Sequence, residues 1–178
     1  MSTTDTQQAL PTGTWNADPV HSTVAFAIDY MAGTFQGSFS KFDAGVTEGD
    51  VRGDVEVASI EVKDPNLEAH LQSPEFFDAE QHPKLTFESK DIVRSGDEVK
   101  IDGEITIKGN TQPVEIRGVA TEPMSDPFGN ERFGLKLETK IDRTAFGVSW
   151  NNPLPSGEPA LSNEVTLIAD LQFVRPQA

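Results

Sequence analysis

Cysteine is absent from all 178 residues, which excludes a disulfide framework, thiol catalysis and any zinc site built on thiolates. Positive charge is scarce. Fourteen Lys and Arg stand against 29 Asp and Glu, for a net charge of −15. That balance argues against nucleic acid, whose binding is driven by cations that release counterions from phosphates, and equally against a polybasic membrane patch. It fits a soluble, self-repelling surface. No apolar run of about 18 residues is present to cross a bilayer as a helix, so an integral membrane protein is not expected. The opening MSTTDTQQALPTGT has neither the basic start nor the apolar stretch of a secretory signal. The expected location is therefore cytoplasmic.

Signatures of catalysis are missing as well. There is no G-x-S-x-G elbow, no glycine-rich phosphate loop and no G-x-G-x-x-G leading into a helix. His21 and Ser22 are neighbours on a predicted strand, so they point to opposite faces and cannot form a base–nucleophile pair. His70 and His82, with Asp78 or Glu80, match no familiar zinc spacing. Neither an enzyme, a cofactor nor a metal is expected.

What the chain does have is alternation. Its length suits one domain that needs no metal or disulfide staple. Residues 1–12 read as a disordered polar tail, and 13–176 as the domain. Val20, Ser22, Val24, Phe26, Ile28 and Tyr30 fall on one strand face, with small or polar residues on the other. Phe35, Gly37 and Phe39 continue the pattern after a turn, and Phe42 is out of phase. Val51, Gly53, Val55 and Val57 alternate before a second phase change at Ile60. Val99, Ile101, Gly103, Ile105 and Ile107 alternate without fault, and Gly109-Asn110 marks a hairpin turn. Phe133 to Ile141 and Val165 to Phe173 repeat the pattern on either side of a proline-rich loop at 151–163. Eight or so long strands joined by hairpins predict an all-β fold, a barrel in preference to a sandwich. Glycines on the inward faces (Gly37, Gly53, Gly103, Gly118) suit a wall that must bend.

One stretch departs from this pattern. Residues 64–82 read as a short helical insert, opened by Asp64-Pro65 as cap and first helical position. Leu67 and Leu71 share a face, and Ser73-Pro74 repeats the start signal ahead of Phe76 and Phe77. The insert is long enough to lie over a barrel mouth with Leu71, Phe76 and Phe77 turned inward, and the proline-rich loop suits a second flap. Phe26, Phe35, Phe39, Phe87 and Phe133 on the inward faces either fill the interior or wall a cavity for one apolar ligand. Apolar flaps favour the cavity.

An ordered set of motifs carries a resemblance. W-x-x-D-P-x-H-S lies at Trp15 to Ser22, F-x-x-x-x-M at Phe26 to Met31, and G-x-F-x-x-F at Gly37 to Phe42. H-L-x-S-x-x-F-F-D runs from His70 to Asp78, and H-P-x-L-T-F-x-S from His82 to Ser89. G-x-I-T-I-K-G (Gly103 to Gly109) and I-D-R-x-x-F-G (Ile141 to Gly147) complete it. From about Trp15 to about Phe173 the chain resembles the YceI-like family of polyisoprenoid-binding, lipocalin-like proteins. The resemblance implies an eight-stranded antiparallel barrel with the helical insert at one mouth. Its elongated apolar cavity would hold a long-chain isoprenoid lipid, a prenylated quinone or a polyprenyl carrier. It also implies a homodimer, a link to stress responses and no catalytic residue. Many relatives carry a signal peptide, and many have histidine where Tyr30 stands. Tyr30 keeps a hydroxyl but not a group that charges near neutral pH.

On that expectation the wall is Phe26, Ile28, Phe35, Phe39, Phe87, Ile105, Phe133, Leu135 and Leu167. Phe146 and Trp150 line the mouth, and Tyr30, His70 and Asn151 supply its polar groups. Two other readings compete. An enzyme acting on a small lipid through His21 or His70 would lose turnover, but not lipid, on His→Ala. A partner-binding barrel with a filled core would show an outer apolar patch and no cavity.

Overall fold

A computed structural model describes residues 10–175. The strand segments are β1 (Thr14–Ala17), β2 (Thr23–Tyr30), β3 (Gly33–Phe39), β4 (Phe42–Thr47), β5 (Asp50–Glu56), β6 (Ile60–Glu61), β7 (Lys84–Ser95), β8 (Glu98–Ile107), β9 (Asn110–Ala120), β10 (Met124–Ser125), β11 (Glu131–Asp142) and β12 (Leu161–Val174). Among the described residues one α-helix, α1 (Pro65–Gln72), stands between β6 and β7. Pairing follows chain order and is antiparallel throughout, and β12 meets β11 along one edge and β1 and β2 along the other. β1 with β2, β3 with β4, and β5 with β6 each share one position, so the sheet closes as an eight-stranded barrel. The β11–β12 seam runs in register from Arg132↔Val174 to Asp142↔Glu164. Closure leaves the barrel wall without a free edge to template aggregation.

The inward parity read from the sequence holds along β8, where Val99, Ile101, Gly103, Ile105 and Ile107 are all buried. The two phase changes are corners in the sheet. β3 breaks at Ser40-Lys41 and resumes as β4 beside a different partner, and β5 breaks into a 3-10 turn at Val57–Ser59 before β6. The Ser59 hydroxyl joins the two corners, donating to the Glu56 carbonyl at 2.6 Å and accepting the Lys41 N–H at 3.0 Å. The hairpin after β8 turns on Lys108-Gly109, one residue earlier than expected. Both residues have positive φ (53° and 77°), as a type I′ turn requires. Asn110 opens β9 instead. The predicted strand from Val20 begins only at Thr23, because the Asp18 side chain accepts the Val20 N–H and holds residues 18–22 in a turn. Val20 is left 82% exposed.

Gly118 has a packing reason: a Cβ there would collide with the Lys136 carbonyl oxygen, so its absence lets β9 and β11 approach at the pair Leu137↔Gly118. Gly37 makes room for the Phe26 ring, which would lie 2.6 Å from an added Cβ.

The core has two ends. At one, Trp15 meets Phe133 edge-on at 5.0 Å, and Phe133 stacks on Phe173 at 5.3 Å. Arg175 lies 4.5 Å over the Trp15 ring. The expected tail at 1–12 lies outside the described residues as far as residue 9. Its remainder is no tail: Leu10 is 1% exposed and packed among these rings, and the Thr12 carbonyl accepts the Trp15 indole N–H at 2.9 Å. At the same end, Arg132 reaches Asp126 at 3.0 Å, Asp18 at 3.2 Å and the Gln172 side chain at 2.8 Å, with His21 2.7 Å from Asp18. This clasp ties three surface segments together over the closed end. The other end is covered by α1 and the chain that follows it.

Candidate ligand-binding site

The cover is built from local chemistry. Asp64 caps α1 by accepting the Asn66 N–H at 2.9 Å, with Pro65 in the first turn. The second start signal, Ser73-Pro74, does not restart a helix. Ser73 is held extended ahead of the proline, and its hydroxyl caps the His70 carbonyl. Residues 74–81 then fold back on α1, with the N–H groups of Phe77 and Ala79 bonded to the carbonyls of Leu71 and Gln72. The expected insert at 64–82 is thus one short helix and a compact reversal. Lys108 fastens it to the rim, donating to the carbonyls of Pro74 (2.6 Å) and Gly147 (3.3 Å).

The reversal aims its two phenylalanines differently. Phe77 points down the barrel, edge-on to Phe39 at 6.1 Å. Phe76 lies 5.3 Å from Trp150, and both rings meet His70 edge-on, at 4.8 and 5.0 Å. His70 Nε2 also lies 3.0 Å from Glu75. An aromatic lid of Phe76, Phe77, His70 and Trp150 therefore closes the mouth, three of its rings drawn from the insert and Trp150 from the loop after β11.

Beneath it lies a cavity of about 190 Å³, and deeper in the barrel a second of about 130 Å³. Phe39, Leu85 and Leu167 belong to both walls, so these three form a neck between two chambers in line. Together the chambers reach the low end of the roughly 300–1,000 Å³ typical of ligand pockets.

The first chamber gathers most of the residues expected from sequence. Phe26, Ile28, Tyr30, Phe35, Phe39 and Leu167 form its wall, and His70, Leu71, Phe76, Phe77, Phe146 and Trp150 its roof and rim. Phe87 and Ile105 line the second chamber. Three expectations need correction. Phe133 and Leu135 line neither chamber and belong to the plug at the closed end. They share inward parity with the wall residues but sit too far along the barrel axis. Asn151 is not at either wall, because its amide is consumed by the backbone of Leu161, donating to the carbonyl at 2.8 Å and accepting the N–H at 3.0 Å.

Beyond the expected set, Leu67, Leu85, Ile107, Ile141, Val148 and Val165 line the first chamber, as does Leu161 from the end of the proline-rich loop. Leu85, Ile107, Ile141 and Val165 carry the same alternation as their predicted neighbours, so the signal was there. Arg143 also lines this chamber, at 4% exposure, and it continues the inward parity of β11 past Ile141. Its guanidinium donates to the carbonyls of Ser162, Val148 and Trp150, each at 2.8 Å, which staples the Trp150 loop to the start of β12. Burial pushes the pKa of this guanidinium down, with Asp142 opposing. Among the described residues no cluster of three His, Asp or Glu could hold a metal.

The YceI-like domain, as a family, matches residues 15–173 of this chain, nearly all of the barrel. The chain belongs to the YceI-like domain family. Among curated relatives of this YceI-like domain is a UPF0312 protein of Staphylococcus aureus strain N315, 32% identical over 169 residues, covering 88% of this chain and 94% of the relative. Among solved structures, Burkholderia cenocepacia BcnA has a TM-score of 0.75 at 22% identity, covering 88% of this chain and 98% of its own. A polyisoprenoid binding domain from Saccharophagus degradans, implicated in plant cell wall breakdown, has a TM-score of 0.73 at 11% identity, covering 91% and 98%. At such identities the two structures speak for the YceI-like fold alone.

Proposed function

We propose that this YceI-like domain binds and carries one long isoprenoid chain, of the prenylated-quinone or polyprenyl-carrier type, in the two chambers of its barrel. The observation that carries the reading is the pair of apolar chambers set end to end beneath an aromatic lid. An extended, branched hydrocarbon suits that shape. The polyisoprenoid-binding domain with the same fold supports it. Each buried CH₂ contributes about 0.8 kcal/mol, so a five-carbon unit contributes roughly 4 kcal/mol. Association costs an estimated 4–15 kcal/mol. One unit alone therefore binds weakly, and affinity is built by repetition along the tail.

The reading is of a binder rather than an enzyme. His21 lies on the outer surface against Asp18, away from the chambers. His70 is on the wall of the first chamber, and its neighbours are two aromatic rings and the exposed Glu75.

Titrating the delipidated protein with geraniol, farnesol and geranylgeraniol tests it. Affinity is expected to tighten with each added unit and then level off when the tail reaches the plugged end. Equal affinity across the series, or none, would remove the proposal.

A further inference from the structure

We infer that the seam between β9 and β11 is a side port, the part of the barrel wall that opens to let an isoprenoid tail in and out. The inference rests on the lipid-binding reading above and adds the route, which a cavity alone does not specify.

The wall is closed, but not by the same means throughout. β9 and β11 pair from Leu135↔Ala120 to Glu138↔Arg117 and no further. Towards the mouth, residues 110–116 of β9 pair only with β8, and 139–142 of β11 only with β12. The cause is local. Pro113 stands in this stretch of β9 with no N–H to give, and a proline within a sheet is confined to an edge. Three side-chain bonds cover the stretch instead. The Thr139 hydroxyl donates to the Glu115 carbonyl at 2.7 Å, the Gln112 amide to the Ala145 carbonyl at 3.2 Å and the Asn110 amide to the Phe146 carbonyl at 2.8 Å.

Both chambers lie behind this stretch. Ile116, Leu137 and Thr139 line the second, and Ile141 and Phe146 the first. The residues that narrow the interior, Phe39, Leu85 and Leu167, belong to β3, β7 and β12, so the seam contributes nothing to the neck. A tail entering sideways settles along both chambers at once, without being threaded through the neck from its end. The lid is a harder way in. Opening it breaks both bonds of Lys108 and draws Phe76 and Phe77 from apolar contact into water, at a cost that grows with the area exposed. Opening the seam breaks no strand pairing and exchanges three side-chain bonds for bonds to water, each a small net change.

The chain has no cysteine, so two introduced thiols can be bridged without competition. Continuing the register by two positions sets Lys140 opposite Glu115, both exposed. Glu115→Cys and Lys140→Cys are joined by a short bis-maleimide, and tryptophan fluorescence follows exchange of geranylgeraniol by the delipidated full chain. Uptake and release should both slow about tenfold or more while affinity holds, because a blocked path hinders both directions alike. The same bridge from Lys140→Cys to Thr166→Cys, opposite one another across the paired β11–β12 seam, should alter neither rate. Gln112→Ala removes one tie and needs no bridge. It should speed both rates several-fold, and it decides the matter if a bridged variant does not fold. Rates unchanged by the seam bridge or by Gln112→Ala, or slowed equally by the control bridge, overturn the port and leave the lipid reading in place. Failure of the unaltered chain to bind geranylgeraniol overturns both.

Discussion

Phe77 and Asp18 show how much single side chains decide at opposite ends of this barrel. Phe77 is the lid residue aimed at Phe39, between roof and wall. Phe77→Asp puts a carboxylate where the tail must lie. The expected result is lipid affinity at least about tenfold weaker and, because Phe77 is only partly buried, a stability loss of about 1–2 kcal/mol. Lipid retention and a circular-dichroism melt read the two effects separately. If both survive, Phe77 is packing and no gate. Asp18 is held at a pKa of about 2, against an ordinary 3.8, chiefly by its hydrogen bond to His21, with Arg132 and the Val20 N–H adding and desolvation opposing. The folded carboxyl thus stays ionised where the unfolded one has taken its proton. Its contribution is complete above roughly pH 4 and is lost as pH falls toward 2. The shift corresponds to about 2 kcal/mol, reduced toward 1 by solvent screening. Asp18→Asn should lower the melting temperature at neutral pH, and the gap to the parent should close between pH 4 and 2. A gap independent of pH would contradict the clasp.

At the scale of elements, α1 is held by little. Of its residues only Leu71 is buried, and helices this short are marginal without tertiary support. Its cap therefore matters out of proportion to its size. Asp64→Ala should cost about 1 kcal/mol and do so locally. Hydrogen exchange should quicken over residues 65–72 while β8 and β12 keep their protection. Uniform loss across the barrel would mean that the insert does not open on its own. The elements also show what a sequence can and cannot reveal. Alternation along β8, β11 and β12 was legible because period 2 follows directly from strand geometry. The corners at Ser40-Lys41 and Val57–Ser59 were visible only as phase changes, since a bulge and a change of partner leave the same mark on a linear pattern. Ser73-Pro74 carried a helix-start signal that the chain used instead to reverse, because Phe76 and Phe77 gain more by packing on the mouth than by extending a helix.

Over the whole molecule, inward parity separates inside from outside but says nothing of depth along the barrel axis. That is why Phe133 and Leu135 looked like cavity wall and prove to be plug, while Phe26 and Phe39, with the same parity, line the first chamber. Residue polarity likewise could not tell Asn151, which serves the Leu161 backbone, from a ligand-facing group. On the proposed reading depth limits the length of tail the barrel takes, since the interior narrows at Phe39, Leu85 and Leu167 and is stopped at Trp15. Leu85→Ala should widen the neck and change the affinity of those prenols long enough to cross it, while the plateau, which the plug sets, stays at the same chain length, at a stability cost of about 2–4 kcal/mol. A change confined to the shortest prenol would mean that the tail never passes the neck. All of this depends on the barrel having a hydrocarbon guest, and one measurement addresses that directly: purify the protein from its native host, extract it into organic solvent and identify what comes out by mass spectrometry. A lipid carrier of the kind proposed yields an isoprenoid chain, close to one per domain. Repeated extraction of no lipid, or of straight-chain fatty acids alone, would contradict it.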